Sequence, residues 1–295
     1  VQPSHKFLAL NDICFSYYEW GEPDRPTIFL IHATGMNARI WDKTIAAFGD
    51  GFHVIALDQR GHGLSRSDDY LLDWRIMGND ATAFIRALDL KDMIGVGHSM
   101  GGHVLTQAAL DQPDRFKRLI LIDPVIFSPE RYKIRTEFEE GHPKDNPIAR
   151  RRNHFQDWEA MREIFSKKQP YSEWDPDVLT NYCLYGVREN TEDRSVSLAC
   201  APDVEASVYM GHHSINPLDQ LHEIKQPVTV LRARGRDPEA KHKIDFSASP
   251  TWDQLANQFP QGKDVWLKHL THFIPMQDPA LTAKYILEQD VRSVK

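Results

Sequence analysis

Cysteine is scarce in this chain: three residues among 295, at Cys14, Cys183 and Cys200. Thiols so few and so far apart cannot form the disulfide framework of a small secreted domain, and they match none of the paired spacings that hold zinc. A reducing compartment, and so a cytoplasmic location, is the expectation. Long apolar runs are missing as well, since no stretch approaches the ~18 residues of a membrane helix. An excess of positive charge is also absent: 35 Lys and Arg against 42 Asp and Glu give a formal net charge of −7. That balance argues against nucleic acid or an anionic membrane as partner. The one basic cluster, Arg150-Arg151-Arg152, reads as the solvated face of a helix. There is no internal repeat or low-complexity tract, and the first residues carry no signal-peptide core.

What is present is ordinary globular composition, 41% hydrophobic and 26% charged, in a chain long enough for one large domain or a core with an insertion. Short apolar runs alternate with helical patterns. "ICFSYYEWG", "TIFLIHA", "FHVIALDQ", "DMIGVG", "RLILID", "PVTVLRA" and "DVWLKHL" read as strands. "TIFLI" and "RLILI" are apolar throughout, as strands covered on both faces are. The pattern predicts an α/β fold with a mainly parallel sheet, helices on both faces, and ligands bound outside the carboxyl ends of the strands. The alternation breaks at 125–217, where helical patterning, punctuated by prolines such as those at 143, 147, 170, 176 and 202, replaces strand patterning. The expectation is a core of 1–124 and 218–295 with a helical cap, 125–217, over the ligand side.

One stretch carries most of the chemistry. In "MIGVGHSMGGHVLTQAA", residues 93–109, a short apolar strand runs into a helix through four glycines and one serine. The order Gly97-His98-Ser99-Met100-Gly101 is G-x-S-x-G, the pattern of a strained strand-to-helix turn that exposes a serine oxygen above the sheet. The first N–H groups of the helix point to the same place. A second loop, His32-Ala33-Thr34-Gly35, follows the strand "TIFLI" and offers the Thr34 N–H to join that of Met100 in holding an oxyanion. Serine needs a base to become a nucleophile near neutral pH. Of fourteen histidines, His272 is placed for it, in a loop past the last expected strand and before the final helix. His98 adjoins Ser99, but the turn points it away from the serine oxygen. His212 and His213 are expected to pack or lie at the surface, and Asp58 and Arg60 to brace the loop "LDQRGHG".

These motifs resemble the α/β-hydrolase superfamily, over about 7–124 and 218–292. The matching positions are His32 to Gly35, Asp58 to Gly63, Gly97 to Gly102, and Thr271-His272-Phe273. The chain departs from the family at Ala33, where glycine is commoner. The resemblance implies a Ser99–His272–acid triad, an oxyanion hole of Thr34 and Met100, and no cofactor or metal. The acid is ambiguous. Counting forward from "PVTVLRA" gives Asp237, and counting back from the expected helix "WDQLANQF" gives Asp245. Some members carry the acid one strand earlier, where this chain has Asp123. Asp123 is slightly preferred, then Asp237, with Asp245 third.

Serine at the elbow separates the chain from members that open epoxides or displace halide with an aspartate there. His98 and Phe273 differ from the asparagine and tryptophan that C–C bond hydrolases tend to carry at these places. The expected reaction is hydrolysis of a small carboxylic ester through an acyl-enzyme. The alternatives are C–C bond, lactone or thioester hydrolysis on the same triad, or a ligand receptor with little turnover. Phe155, Trp158, Tyr182, Tyr185, Tyr209 and Met210 in the expected cap suggest an apolar or aromatic substrate portion.

Overall fold

The computed structural model describes residues 2–236 and 245–288. Each run read as a strand forms one. In chain order the strands are β1 (Ser4–Leu10), β2 (Ile13–Trp20), β3 (Thr27–Ile31), β4 (His53–Leu57), β5 (Met93–His98) and β6 (Phe116–Ile122). Three short strands follow, β7 (His154–Phe155), β8 (Val187–Glu189) and β9 (Val196–Leu198), and then β10 (Val228–Arg232) and β11 (Gly262–Trp266). The main sheet has eight strands in the order β1-β2-β4-β3-β5-β6-β10-β11. Only β2 runs opposite to the rest of this sheet, pairing antiparallel with both β1 and β4.

Period-2 geometry divides the apolar residues between two faces. Ile28, Leu30, Val54, Ala56, Ile120 and Ile122 face one way, toward Trp41, Ile45 and Ile286. Phe29, Ile31, Ile55, Leu57, Leu119 and Leu121 face the other, against Met77, Phe84, Val104 and Leu105. Helices α1 (Asp42–Ala46), α2 (Arg75–Ala87) and α3 (Met100–Asp111) supply several of these partners. Each fully buried Ile, Leu or Phe adds roughly 1.5–3 kcal/mol of transfer free energy. The parallel strands therefore sit in a fixed order, and their carboxyl ends make a rigid platform.

The excursion between β6 and β10 contains α4 (Pro129–Tyr132), α5 (Trp158–Phe165), α6 (Pro176–Tyr185) and α7 (Pro202–Met210). Asp157 and Asp175 cap α5 and α6 by accepting N–H bonds from Ala160 and from Asp177 and Val178. The excursion is not wholly helical, contrary to the sequence reading: β7, β9 and β8 form a small antiparallel sheet. Strands of two or three residues are too short to show alternation. It is tied to the core at several points. The Trp74 Nε1–H donates to Val208 O at 2.8 Å, Leu71 N–H donates to Ser207 Oγ at 2.8 Å, and Asp175 N–H donates to Met276 O at 2.7 Å.

β1 was not expected, because "SHKFLAL" lies at an exposed edge and buries almost nothing. "WDQLANQF" forms only a single 3-10 turn, Leu255–Gln258. The chain then passes through β11 to α8 (Ile274–Gln277) and α9 (Pro279–Leu287). All three cysteines are free, with Cys183 and Cys200 buried. Among the described residues no helix is long and apolar enough to cross a membrane.

Candidate active site

Ser99 stands between β5 and α3 with φ 57° and ψ −120°, a conformation that side-chain-bearing residues adopt only at a cost of order 1–3 kcal/mol. The surrounding backbone holds it there. Ser99 N–H donates to Ile122 O at 2.9 Å, and Ser99 O accepts from Gly102 N–H at 3.0 Å and Val125 N–H at 3.1 Å. The flanking glycines are explained by close approach. A Cβ on Gly97 would lie 2.4 Å from Gly101 O, and one on Gly101 would lie 2.5 Å from the carbonyl oxygens of Ile31 and His32. The helix start is thereby pressed against the end of β3.

His272 is held on the loop after β11, its N–H donating to Ser247 O at 2.8 Å. Its Nε2 lies 2.9 Å from Ser99 Oγ, and its Nδ1 lies 2.7 Å from Asp123 Oδ2. Asp123 follows β6 with φ 43° and is wholly buried. Its Oδ1 accepts from Ala233 N–H at 2.9 Å and Ser249 Oγ–H at 2.6 Å, and Thr251 Oγ1 lies 3.2 Å away. The carboxylate, an acceptor on both oxygens, places the imidazole proton on Nδ1 and leaves the Nε2 lone pair facing the serine hydroxyl. Of the three candidate acids, the structure brings Asp123 to His272. Asp245 instead accepts from Ser247 N–H at 2.9 Å and Ser247 Oγ–H at 2.6 Å, which steadies the loop that receives His272. Asp237 lies outside the described residues.

Ala33 to Met36 make a turn closed by Met36 N–H donating to Ala33 O at 3.2 Å, with Gly35 at φ 74°. Neither the Thr34 nor the Met100 N–H has a protein acceptor among the described residues. The buried His32 ring holds this turn: Nδ1–H donates to Ala33 O at 2.8 Å and Nε2 accepts from Gln59 N–H at 3.1 Å. Burial pushes its pKa down to about 3, so the ring stays neutral. Asp58 and Arg60 brace the neighbouring loop, though not with each other. Asp58 accepts from Ala38 N–H at 2.7 Å and Leu64 N–H at 3.0 Å, while Arg60 pairs with Asp80 and Asp12.

The sequence assigns His98 no role, but the structure gives its ring a partner in the backbone of His272. The ring is fully buried and its Nε2–H donates to the His272 carbonyl at 2.8 Å, supporting the loop from beneath. Desolvation, with His272 close by, lowers its pKa well below the ordinary value and keeps it uncharged. Nothing in the local sequence signals that contact, which joins residues 174 apart.

A cavity of about 300 Å³ lies between the Thr34–Met36 turn and the excursion. Phe165, Tyr171, Tyr182, Tyr209, Phe246 and Phe273 give it aromatic walls. Thr34, in the loop that faces Met100, and Phe273, next to His272 in the chain, lie in those walls, whereas Ser99 and His272 do not. Tyr185 is elsewhere, with the Arg39 guanidinium 3.9 Å over its ring. Phe155 and Met210 are buried in packing. The basic cluster is corrected too: it is not a solvated helix face. Arg151 turns inward to pair with the buried Glu205, at 2.8 and 2.6 Å, because an extended residue after the 3-10 turn Pro147–Arg150 points along a different direction from its neighbours.

One described cluster has ligand types and spacing suited to a cation: Glu139, His212 and His213, with ligand atoms within 4.8 Å of one another. Arg131 already bonds Glu139, and its Nη1 lies 2.6 Å from His213 Nε2. A fixed positive charge thus occupies the place a metal would need.

The sequence pattern described as "Alpha/beta hydrolase family" matches residues 28–285. A 3-oxoadipate enol-lactonase of Acinetobacter baylyi is 33% identical over 116 residues, 39% of this chain and 43% of that protein. The chain thus spans about two fifths of the length of this and two further curated relatives that it matches. A 1H-3-hydroxy-4-oxoquinoline 2,4-dioxygenase of Pseudomonas putida is 25% identical over 288 residues, 95% of this chain and 97% of that protein. Among solved structures, E-2-(acetamidomethylene)succinate hydrolase superposes with TM-score 0.75 at 21% identity, covering 97% of this chain and 98% of that one. The thioesterase domain from the curacin pathway gives TM-score 0.74 at 20% identity, over 98% and 100%.

Proposed function

The chain belongs to the alpha/beta hydrolase family, and from that premise we propose that it hydrolyses a small carboxylic ester through an acyl-enzyme on Ser99. The observation that carries this reading is the unbroken line Ser99 Oγ, His272, Asp123, with contacts of 2.9 and 2.7 Å. Ser99 Oγ attacks the ester carbon while its proton passes to His272 Nε2. Asp123 stabilises the imidazolium and fixes its orientation. The N–H groups of Met100 and Thr34 receive the negative charge that develops on the carbonyl oxygen. Collapse of the tetrahedral intermediate expels the alkoxide, which takes the proton from His272. Water then repeats the sequence, releasing the acid and restoring the serine. In this reading residues 125–217 act as a cap that bounds the cavity and selects the acyl group.

Hydrolysis of a lactone follows the same steps with the leaving group still attached to the acid, and the lactonase relative supports it. The dioxygenase matched along nearly the whole chain supports a second reading, addition of dioxygen to a hydroxylated heteroaromatic ring in the aromatic cavity. Two measurements on the purified protein separate them. Release of acid from aryl esters, with Ser99 labelled by a fluorophosphonate, supports the hydrolase. Oxygen uptake with 3-hydroxy-4-oxoquinoline, with esters left intact, replaces it.

A further inference from the structure

We propose that the cavity selects a substrate bearing a carboxylate at the end remote from the bond that is cut, an inference that takes only the identity of that bond from the hydrolase reading. Three cationic side chains line the cavity, Arg151, Arg152 and Lys168, against one carboxylate, Glu205. Arg151 and Glu205 neutralise each other through a single guanidinium nitrogen that reaches both carboxylate oxygens. Arg152 and Lys168 are exposed and neither is paired with a carboxylate among the described residues. The cavity wall therefore carries an uncompensated positive charge, although the protein as a whole is negative.

Two hydroxyls sharpen the demand. The second Arg151 nitrogen, Nη2, lies 3.2 Å from Tyr171 Oη and 3.4 Å from Tyr182 Oη. Both phenol oxygens accept from a guanidinium that has only protons to give, so each O–H is left as a donor. Neither finds an acceptor among the described residues. Tyr182 is only 2% exposed and so is shut off from bulk water. Burial pushes its pKa well above the ordinary value, which keeps the proton in place. A buried donor without an acceptor is unfavourable, and a group that offers only acceptor oxygens and negative charge satisfies both hydroxyls at once. A carboxylate does this. An alkyl chain leaves both donors unmet.

The test is calorimetric binding to the Ser99→Ala protein, which cannot turn its ligands over in the proposed mechanism. Monomethyl glutarate, with one carboxylate, is expected to bind about tenfold or more tighter than dimethyl glutarate, on the scale of one charged hydrogen bond. That ratio should shrink in Tyr171→Phe, which removes one O–H, and in the Arg152→Gln/Lys168→Gln double variant, whose changes lie at the surface. Equal or tighter binding of the diester, no detectable binding of either at millimolar concentration, or a ratio that none of the variants moves overturns the proposal. Tighter binding of butyl phosphate than of the monoester also overturns it, since the anion is then a phosphate. If the carboxylate preference holds while the wild-type protein hydrolyses no ester, the hydrolase reading falls and this one stands.

Discussion

Replacing Asp123 by asparagine changes one atom and should disable the site while leaving it in shape. Three groups fix which way the new amide faces. Ala233 N–H, Ser249 Oγ–H and Thr251 Oγ1 all approach Oδ1, so the amide oxygen must stay there and the NH₂ must turn to His272. An NH₂ cannot accept from Nδ1. The imidazole answers by moving its proton to Nε2, where it meets Ser99 Oγ at 2.9 Å with a proton instead of a lone pair. The ring can then no longer take the serine proton. Loss of this arrangement in a serine triad lowers kcat about 10⁴-fold, or roughly 5 kcal/mol of barrier at 1.36 kcal/mol per tenfold. The assay is kcat for a 4-nitrophenyl ester near neutral pH, beside a melting curve that shows the variant folded. A folded Asp123→Asn protein within tenfold of the wild-type rate refutes the reasoning.

Stability should fall as the pH is lowered from 6.5 towards 4. His32, His62 and His103 are fully buried with pKa values pushed down to about 3, 4 and 4, and His98 is lowered likewise. The unfolded chain takes up these protons below its ordinary histidine pKa and the folded chain does not, so each histidine removes up to about 1.4 kcal/mol per pH unit. Buried Asp58, raised to about 6, and Asp42, also raised by burial, oppose the trend of the four histidines; a midpoint that rises between pH 7 and 5 contradicts the burial argument. Gly101→Ala places a methyl 2.5 Å from two carbonyl oxygens, and the resulting shift of α3 should cost about 1–3 kcal/mol and most of the activity, so a variant with wild-type melting and turnover is inconsistent with the tight elbow. Arg151→Ala leaves the Glu205 carboxylate buried without its partner and should destabilise by about 3–5 kcal/mol, whereas the double change Arg151→Met/Glu205→Leu should recover much of that loss, as chemical denaturation can show.

What the sequence revealed was what is local. G-x-S-x-G with its strand and helix lies within seventeen residues, and the apolar strands announce themselves because the parallel sheet buries both faces of each. His272 was legible from its place after the last strand. The acid was legible only as a slight preference for Asp123, which the contact with His272 supports; counting along the loop after β10 pointed elsewhere because it assumes a loop of ordinary length, whereas this carboxylate is fixed by the end of β6 and by donors from Ala233 and Ser249. Contacts between distant segments were invisible for the same reason: His98 beneath His272, Arg151 against Glu205, and Arg39 over Tyr185 each join positions more than fifty residues apart. Short or exposed strands, β1 and the small sheet of the excursion, lacked the burial that writes a pattern.

Ester hydrolysis by this route passes through a covalent acyl-enzyme on Ser99. Mass spectrometry of the protein quenched in acid during turnover of an aryl ester tests it directly. The expected result is an acyl adduct on the peptide that carries Ser99, lost on treatment with hydroxylamine and absent from Ser99→Ala, whose turnover should fall by up to about 10⁶-fold. Undiminished turnover by Ser99→Ala, or an adduct confined to another residue, contradicts it.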